Sequence, residues 1–115
     1  MSSILLDIRK MIGPSETYEH FDTDLIIHIN SALMVLKQLG VGPEKGFRIT
    51  GDTEQWSDFV PDEDYLDLVK TYVYLRVRLA FDPPQHGALL ESIQNQIREA
   101  EWRLNVAVDP GEEES

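Results

Sequence analysis

The sequence predicts a mainly α fold: a small bundle of about four helices around an irregular middle segment with room for a short strand or hairpin. Three observations predict it. Apolar residues recur at helical spacing in the first forty residues, Tyr65 to Phe81 is apolar on nearly every face, and Asp82-Pro83-Pro84 ends that run before a second strongly patterned segment. At 115 residues there is room for one core.

The first helix starts at Ser3, whose hydroxyl suits an N-cap, and runs through Met11. Ile4, Leu5, Ile8, Met11 and Ile12 share its apolar pattern, and Gly13-Pro14 stops it. Asp22 or Thr23 caps a second helix that ends near Leu39, where Gly40 supplies the stop. Its stripe is Leu25, Ile29, Ala32 and Leu36, while Ile27 and Met34 meet on the opposite side as a second, smaller apolar patch. A two-sided helix has two neighbours.

Val41 to Pro61 carries the turn signals Gly42-Pro43 and Gly51-Asp52, with Phe47-Arg48-Ile49-Thr50 between them as the candidate strand. Asp52 or Thr53 caps a brief helical turn holding Trp56, Phe59 and Val60, and Trp56 reads as a core plug. The third long helix begins at Pro61 or Asp62, where Asp62, Glu63 and Asp64 complement the positive end of the helix dipole, and it runs to Phe81. Tyr72 to Arg78 also fits strand alternation, but the apolar pattern continues unbroken from Tyr65 to a length that favours helix. Apolar residues surround its axis, which predicts the central helix.

Proline ends it, because the residue before proline avoids the α region and proline has no donor for the ladder. The last helix runs from Gln85 or His86 to Ala107 on a stripe of Leu90, Ile93, Ile97, Ala100 and Leu104, with Glu99 and Arg103 as an i,i+4 pair. Trp102 lies opposite Ile93, among Glu91, Asn95, Arg98 and Val106. There it either folds back on the first helix or the middle loop, or anchors a neighbouring subunit. Residues 1–107 thus form a single helical domain, and residues 108–115 an acidic, flexible tail.

Twenty-one acidic against ten basic residues give a formal charge of −11, which repels DNA. Asp52 to Asp67 holds seven carboxylates and no cation, and Lys70, Arg76 and Arg78 follow directly. Such polarity is either a solvated acidic loop or a docking surface for copies or partners. With no cysteine, disulfides, thiolate catalysis and cysteine-based zinc sites are unavailable. The start of the chain lacks a basic segment before a long apolar run, and no stretch reaches membrane-spanning length without charges, so a soluble protein is expected.

Catalytic constellations do not assemble. His20, His28 and His86 are the histidines, no HExxH occurs, and His28 reads as a boundary residue of the second helix. Asp22/Asp24 and Asp62/Asp64 are explained by helix capping, and Asp62-Glu63-Asp64 lacks the glycine and distal glutamate of a calcium loop. No GxxxxGK[ST], GxGxxG or GxSxG pattern occurs. No metal, no cofactor and no enzymatic activity are expected.

Tyr72-Val73-Tyr74-Leu75-Arg76-Val77-Arg78-Leu79-Ala80-Phe81-Asp82-Pro83-Pro84, followed by Glu91-Ser92-Ile93 and by Glu99 to Asn105, resembles small tailed-bacteriophage head-tail connector proteins, also called head-completion or adaptor proteins. Phe47 to Thr50 and Thr53 to Phe59 extend the likeness more loosely, so it covers most of residues 1 to 106. The resemblance implies a mostly helical virion protein that assembles as a ring, commonly of twelve copies, beneath the portal. It extends the DNA channel towards the tail, binds a stopper or tail-completion protein on its far side, and passes through the host cytoplasm during assembly. It implies no catalytic residues.

Ile27, Met34, Arg98 and Trp102 are the candidates for contacts between subunits, since a heterologous ring interface uses surfaces that lie off the core stripes. Asp58, Asp62 and Asp64 in the middle segment, and Glu112, Glu113 and Glu114 in the tail, are the candidates for docking a ring partner. The alternative from a different class is an acidic monomeric inhibitor, a DNA mimic that occupies a host nucleic-acid-binding protein. Its support is the charge.

Overall fold

The computed structural model describes residues 3–13, 21–60, 66–81 and 83–108, and within them the fold is helical, with no sheet. The helices are α1 (Ile4–Ile12), α2 (Asp22–Gln38), a single-turn α3 (Trp56–Phe59), α4 (Leu66–Phe81) and α5 (Gly87–Val108). α4 is the centre: it packs against α1, α2 and α5. Val69, Tyr72, Val73, Leu75 and Val77 are buried on it, and Leu66, Leu68, Tyr74, Leu79 and Phe81 pack at the edge of the core. Apolar residues around the whole axis require neighbours on several sides, and α4 has them.

The other helices are amphipathic. Leu25, Ile29, Ala32, Leu33 and Leu36 of α2 and Ile93, Ile97, Ala100 and Leu104 of α5 are buried, with Leu90 half-buried at the start of the α5 stripe. On α1, Ile4, Leu5 and Ile8 are buried, whereas Met11 faces outward despite its place in the apolar pattern. The helix is only nine residues long, and its last turn lies at the edge of the core. The Ser3 hydroxyl accepts from Leu6 N, as an N-cap should.

α2 begins differently from expectation. Phe21 occupies the cap position, and Asp22 is already the first helical residue, its two carboxylate oxygens accepting bonds of 2.9 and 2.8 Å from Arg9 Nη1. A carboxylate in the first turn still complements the dipole, and here it also ties α1 to α2. Gly40, at φ 93°, takes the left-handed conformation that closes the helix.

The middle segment contains no strand. Phe47 to Thr50 is irregular, and Ile49 finds its backbone partner in a side chain: Asn30 of α2 donates from Nδ2 to Ile49 O at 3.0 Å and accepts from Ile49 N at 2.8 Å. One carboxamide thus replaces a neighbouring strand, and Ile49 is buried beneath it. Gly42, at φ 93°, is pressed against the Phe59 ring so closely that a Cβ would overlap it. Phe47 packs against the same ring at a tilt of 47°, 5.4 Å between centroids.

The cap of α3 is Gln55, not Asp52 or Thr53. Gln55 N donates to Asp58 Oδ2 at 2.9 Å and Asp58 N to Gln55 O at 2.9 Å, so the third residue of the turn reaches back to its start. Trp56 is buried as expected, its Nε1 donating to Asp7 Oδ2 of α1 at 2.9 Å. Ile4 N donates to Glu54 O beside a lone bridge between Ser3 and Gln55, which fastens α1 to the same turn. The expected start of the third long helix at Pro61 or Asp62, and the tail after residue 108, lie outside the described residues.

Candidate assembly surfaces

The outer side of α2 forms the wall of an open groove of about 850 Å³, closed on its other side by the loop from Lys45 to Arg48. Ile27 and Met34 line it, 56% and 62% exposed, together with Leu33 and Phe47. The second apolar patch read from the sequence is therefore real, and its neighbour within the chain is a loop that leaves it open. Asn30 also lines the groove, so the carboxamide that fastens Ile49 also fixes the groove wall.

α5 presents the second surface. Trp102 is 67% exposed and Val106, one turn on, is exposed too. Of the two readings for Trp102, folding back on the chain is not the one realised. Arg98, on the same face, is exposed and donates to Asn95 Oδ1. The Glu99 and Arg103 pair forms as expected, at 2.8 Å between well-exposed side chains, and contributes a few tenths of a kcal/mol. Ile27 and Met34 on α2 and Arg98 and Trp102 on α5 belong to two separate surfaces, carried by helices that flank α4.

Between them lies a polar seam that sequence reasoning missed. Tyr72 of α4 donates its phenol to Glu101 Oε2 of α5 at 2.8 Å, and Arg76 approaches the same carboxylate at 3.9 Å. Burial, and then the bond to Glu101, push the Tyr72 phenol well above its ordinary range against a smaller pull from Arg76. Tyr72 was read as an apolar face residue, and Glu101 lies 29 positions away, too far for any local pattern to pair them. Lys70 Nζ lies 5.7 Å over the Trp56 ring, and His28 meets Phe81 edge-on at the margin of the core, the boundary position read for it.

The acidic middle segment is partly spoken for. Asp58 is exposed, yet one of its oxygens caps α3. Glu54 accepts from the Thr50 amide at 3.0 Å, the Thr50 hydroxyl at 2.9 Å and the Gly51 amide at 3.4 Å. Slight burial pulls its carboxyl upward, but these bonds outweigh it and hold the group below the usual carboxylate range. Asp62, Asp64, Glu112, Glu113 and Glu114 lie outside the described residues. Among the described residues no three His, Asp or Glu side chains gather as a metal site would need, and no helix is long and apolar enough to cross a membrane.

The chain is thus a small helical bundle that leaves apolar side chains exposed on the two helices flanking α4, Ile27 and Met34 on α2 and Trp102 and Val106 on α5. A family model described as phage connector protein matches residues 4–111, and the chain belongs to that family. Membership supports a head-tail connector role in the phage virion, in agreement with the resemblance carried by the proline corner and the two helices around it. No curated protein and no solved structure matches the chain.

Proposed function

We propose that this chain is a head-tail connector subunit that forms a homo-oligomeric ring, of about twelve copies on the family pattern, beneath the phage portal. The ring extends the DNA channel and hands it to a stopper or tail-completion protein; the subunit performs no catalysis. It joins the virion from the host cytoplasm. Residues 1–107 are the connector domain, and the acidic tail that follows reaches a ring partner.

The observation that carries this reading is the pair of outward surfaces on α2 and α5. Two dissimilar surfaces on one chain make a head-to-tail contact that can close into a ring, where a single self-complementary patch would give a dimer. Ile27 and Met34 serve one side of that contact, Arg98 and Trp102 the other. Asp58, Asp62, Asp64 and Glu112 to Glu114 dock the portal or stopper, and the acidic surface lets DNA pass without adhering.

Native mass measurement and negative-stain imaging, with and without portal, test the reading. A ring, or a complex formed on adding portal, supports it; a stable monomer indifferent to portal overturns it and moves the chain to the DNA-mimic reading that its charge of −11 favours. Within a ring that does form, Trp102→Ala leaving the mass unchanged at working concentration removes Trp102 from the contact.

A further inference from the structure

The α2 groove is positive in a chain whose net charge is −11. Lys37, Lys45 and Arg48, three of the ten Lys and Arg residues, line it, and no described carboxylate does. Lys37 belongs to the α2 wall and the other two to the loop wall, so like charges flank the groove from both sides. All three are exposed, and none is in an ion pair among the described residues. By contrast, Arg9, Arg76 and Arg103 each face a carboxylate of this chain. Cations on two walls with no anion between them repel one another, and an incoming carboxylate relieves both.

The shape of this site is set before anything enters. Asn30 ties the loop to α2 at Ile49, and the stem of Lys37 lies against Gly46, so Phe47 and Arg48 are held between two fixed points. The cationic half of the α2 wall runs from Asn30 to Gln38, about 12 Å or little more than two helical turns. Met34 and Phe47 supply its apolar lining. There is no sheet edge among the described residues, and the Asn30 carboxamide is engaged with Ile49. An extended segment would find few backbone partners there, whereas a helix satisfies its own.

A neighbouring copy that seats its α5 face on α2 leaves these cations unanswered. That face brings Arg98 beside Trp102, and its Glu99 is already paired with Arg103. We propose that the cationic half of the groove docks an acidic amphipathic helix of a different protein, its apolar stripe on Met34 and Phe47 and its carboxylates among Lys37, Lys45 and Arg48. The docking goes beyond the ring contact and does not rest on it. Ile27 lies about 15 Å from Lys37 along α2, which leaves it for a neighbouring copy.

The probe is a synthetic peptide of about fifteen residues, long enough to hold a helix, with a Leu stripe at i, i+3, i+4 and i+7 and Glu on its flanks. Added at low salt to the isotope-labelled full-length chain, it should shift the amide signals of Met34, Lys37, Lys45, Gly46, Phe47 and Arg48 saturably. Those of Arg98 and Trp102 should stay in place. At about 1 M salt, where the screening length is near 3 Å, binding should weaken about tenfold or more. The same peptide with Gln for Glu should lose about as much, as should the native peptide on Lys37→Gln/Lys45→Gln/Arg48→Gln, which alters only exposed side chains.

No saturable shift in the groove overturns the proposal, and so does a Gln peptide that binds as well as the Glu peptide. Shifts centred on Arg98 and Trp102 overturn it too. So do groove signals that move with protein concentration before any peptide is added, since the occupant is then a second copy. None of these readouts involves portal. Failure here leaves the connector reading standing, and a monomer indifferent to portal leaves the docking result intact.

Discussion

The two tryptophans mark the contrast between the middle segment, Val41 to Val60, and the last helix, α5. Trp56 opens the single helical turn α3 within otherwise irregular chain, yet it is 2% exposed and hydrogen-bonded to Asp7; Trp102 sits in α5, the longest helix among the described residues, and is 67% exposed. The middle segment has almost no secondary structure, but Asn30, Glu54, Asp58 and Asp7 fasten it through side chains. α5 satisfies its backbone by itself and buries one stripe. Regularity and attachment are thus different properties: the segment that cannot pair its own backbone must be tied into the core, while the helix that can is left with a face to offer.

The largest break in that contrast comes from exchanging the tryptophans for alanine. Trp56→Ala should cost about 4 kcal/mol, from lost burial plus a cavity and an unpaired Asp7, measured by urea unfolding. Trp102→Ala in the same experiment should shift stability by less than about 0.5 kcal/mol. A comparable loss from both would mean that α5 packs its outer face within the monomer.

Gly42→Ala tests whether the middle segment is held as tightly as its contacts imply. A Cβ there meets the Phe59 ring, and φ 93° strains any other residue, so a loss of about 3 kcal/mol is expected. Asn30→Leu removes both partners of Ile49 and leaves a backbone pair unsatisfied, for about 2 kcal/mol. Hydrogen exchange should show the Ile49 amide deprotected in that variant before α5 changes.

The smallest effect sharpens the α4 to α5 side. Because the folded phenol of Tyr72 has its pKa raised, the stability it contributes is complete below about pH 10, the ordinary tyrosine value. It is lost as pH rises from there towards the raised value, the unfolded chain giving up its proton first. Tyr72→Phe should cost about 1 kcal/mol at neutral pH and flatten the alkaline limb of the Tm profile.

The helices were legible because each carries its own evidence: period, cap and breaker lie within a few residues, and α4 announced its central place by lacking a polar face. The proline corner carried the family. The middle segment was not legible for the opposite reason. Phe47 to Thr50 has strand composition, but whether it pairs with a strand or with Asn30 depends on a residue 19 positions away. Ile27 and Met34 were found as a patch, yet the loop that turns the patch into a groove could not be foreseen without the fold, and the two fates of Trp102 differ only in tertiary placement.

The burial of one indole and the exposure of the other give this protein two optical reporters with separate duties. Trp56 should emit at short wavelength, shielded from iodide until the chain unfolds. Trp102 should emit at long wavelength and be quenched freely in the lone subunit, then lose that quenching if a neighbour covers α5. Folding and association can be followed as two colours in one cuvette, with no dye attached.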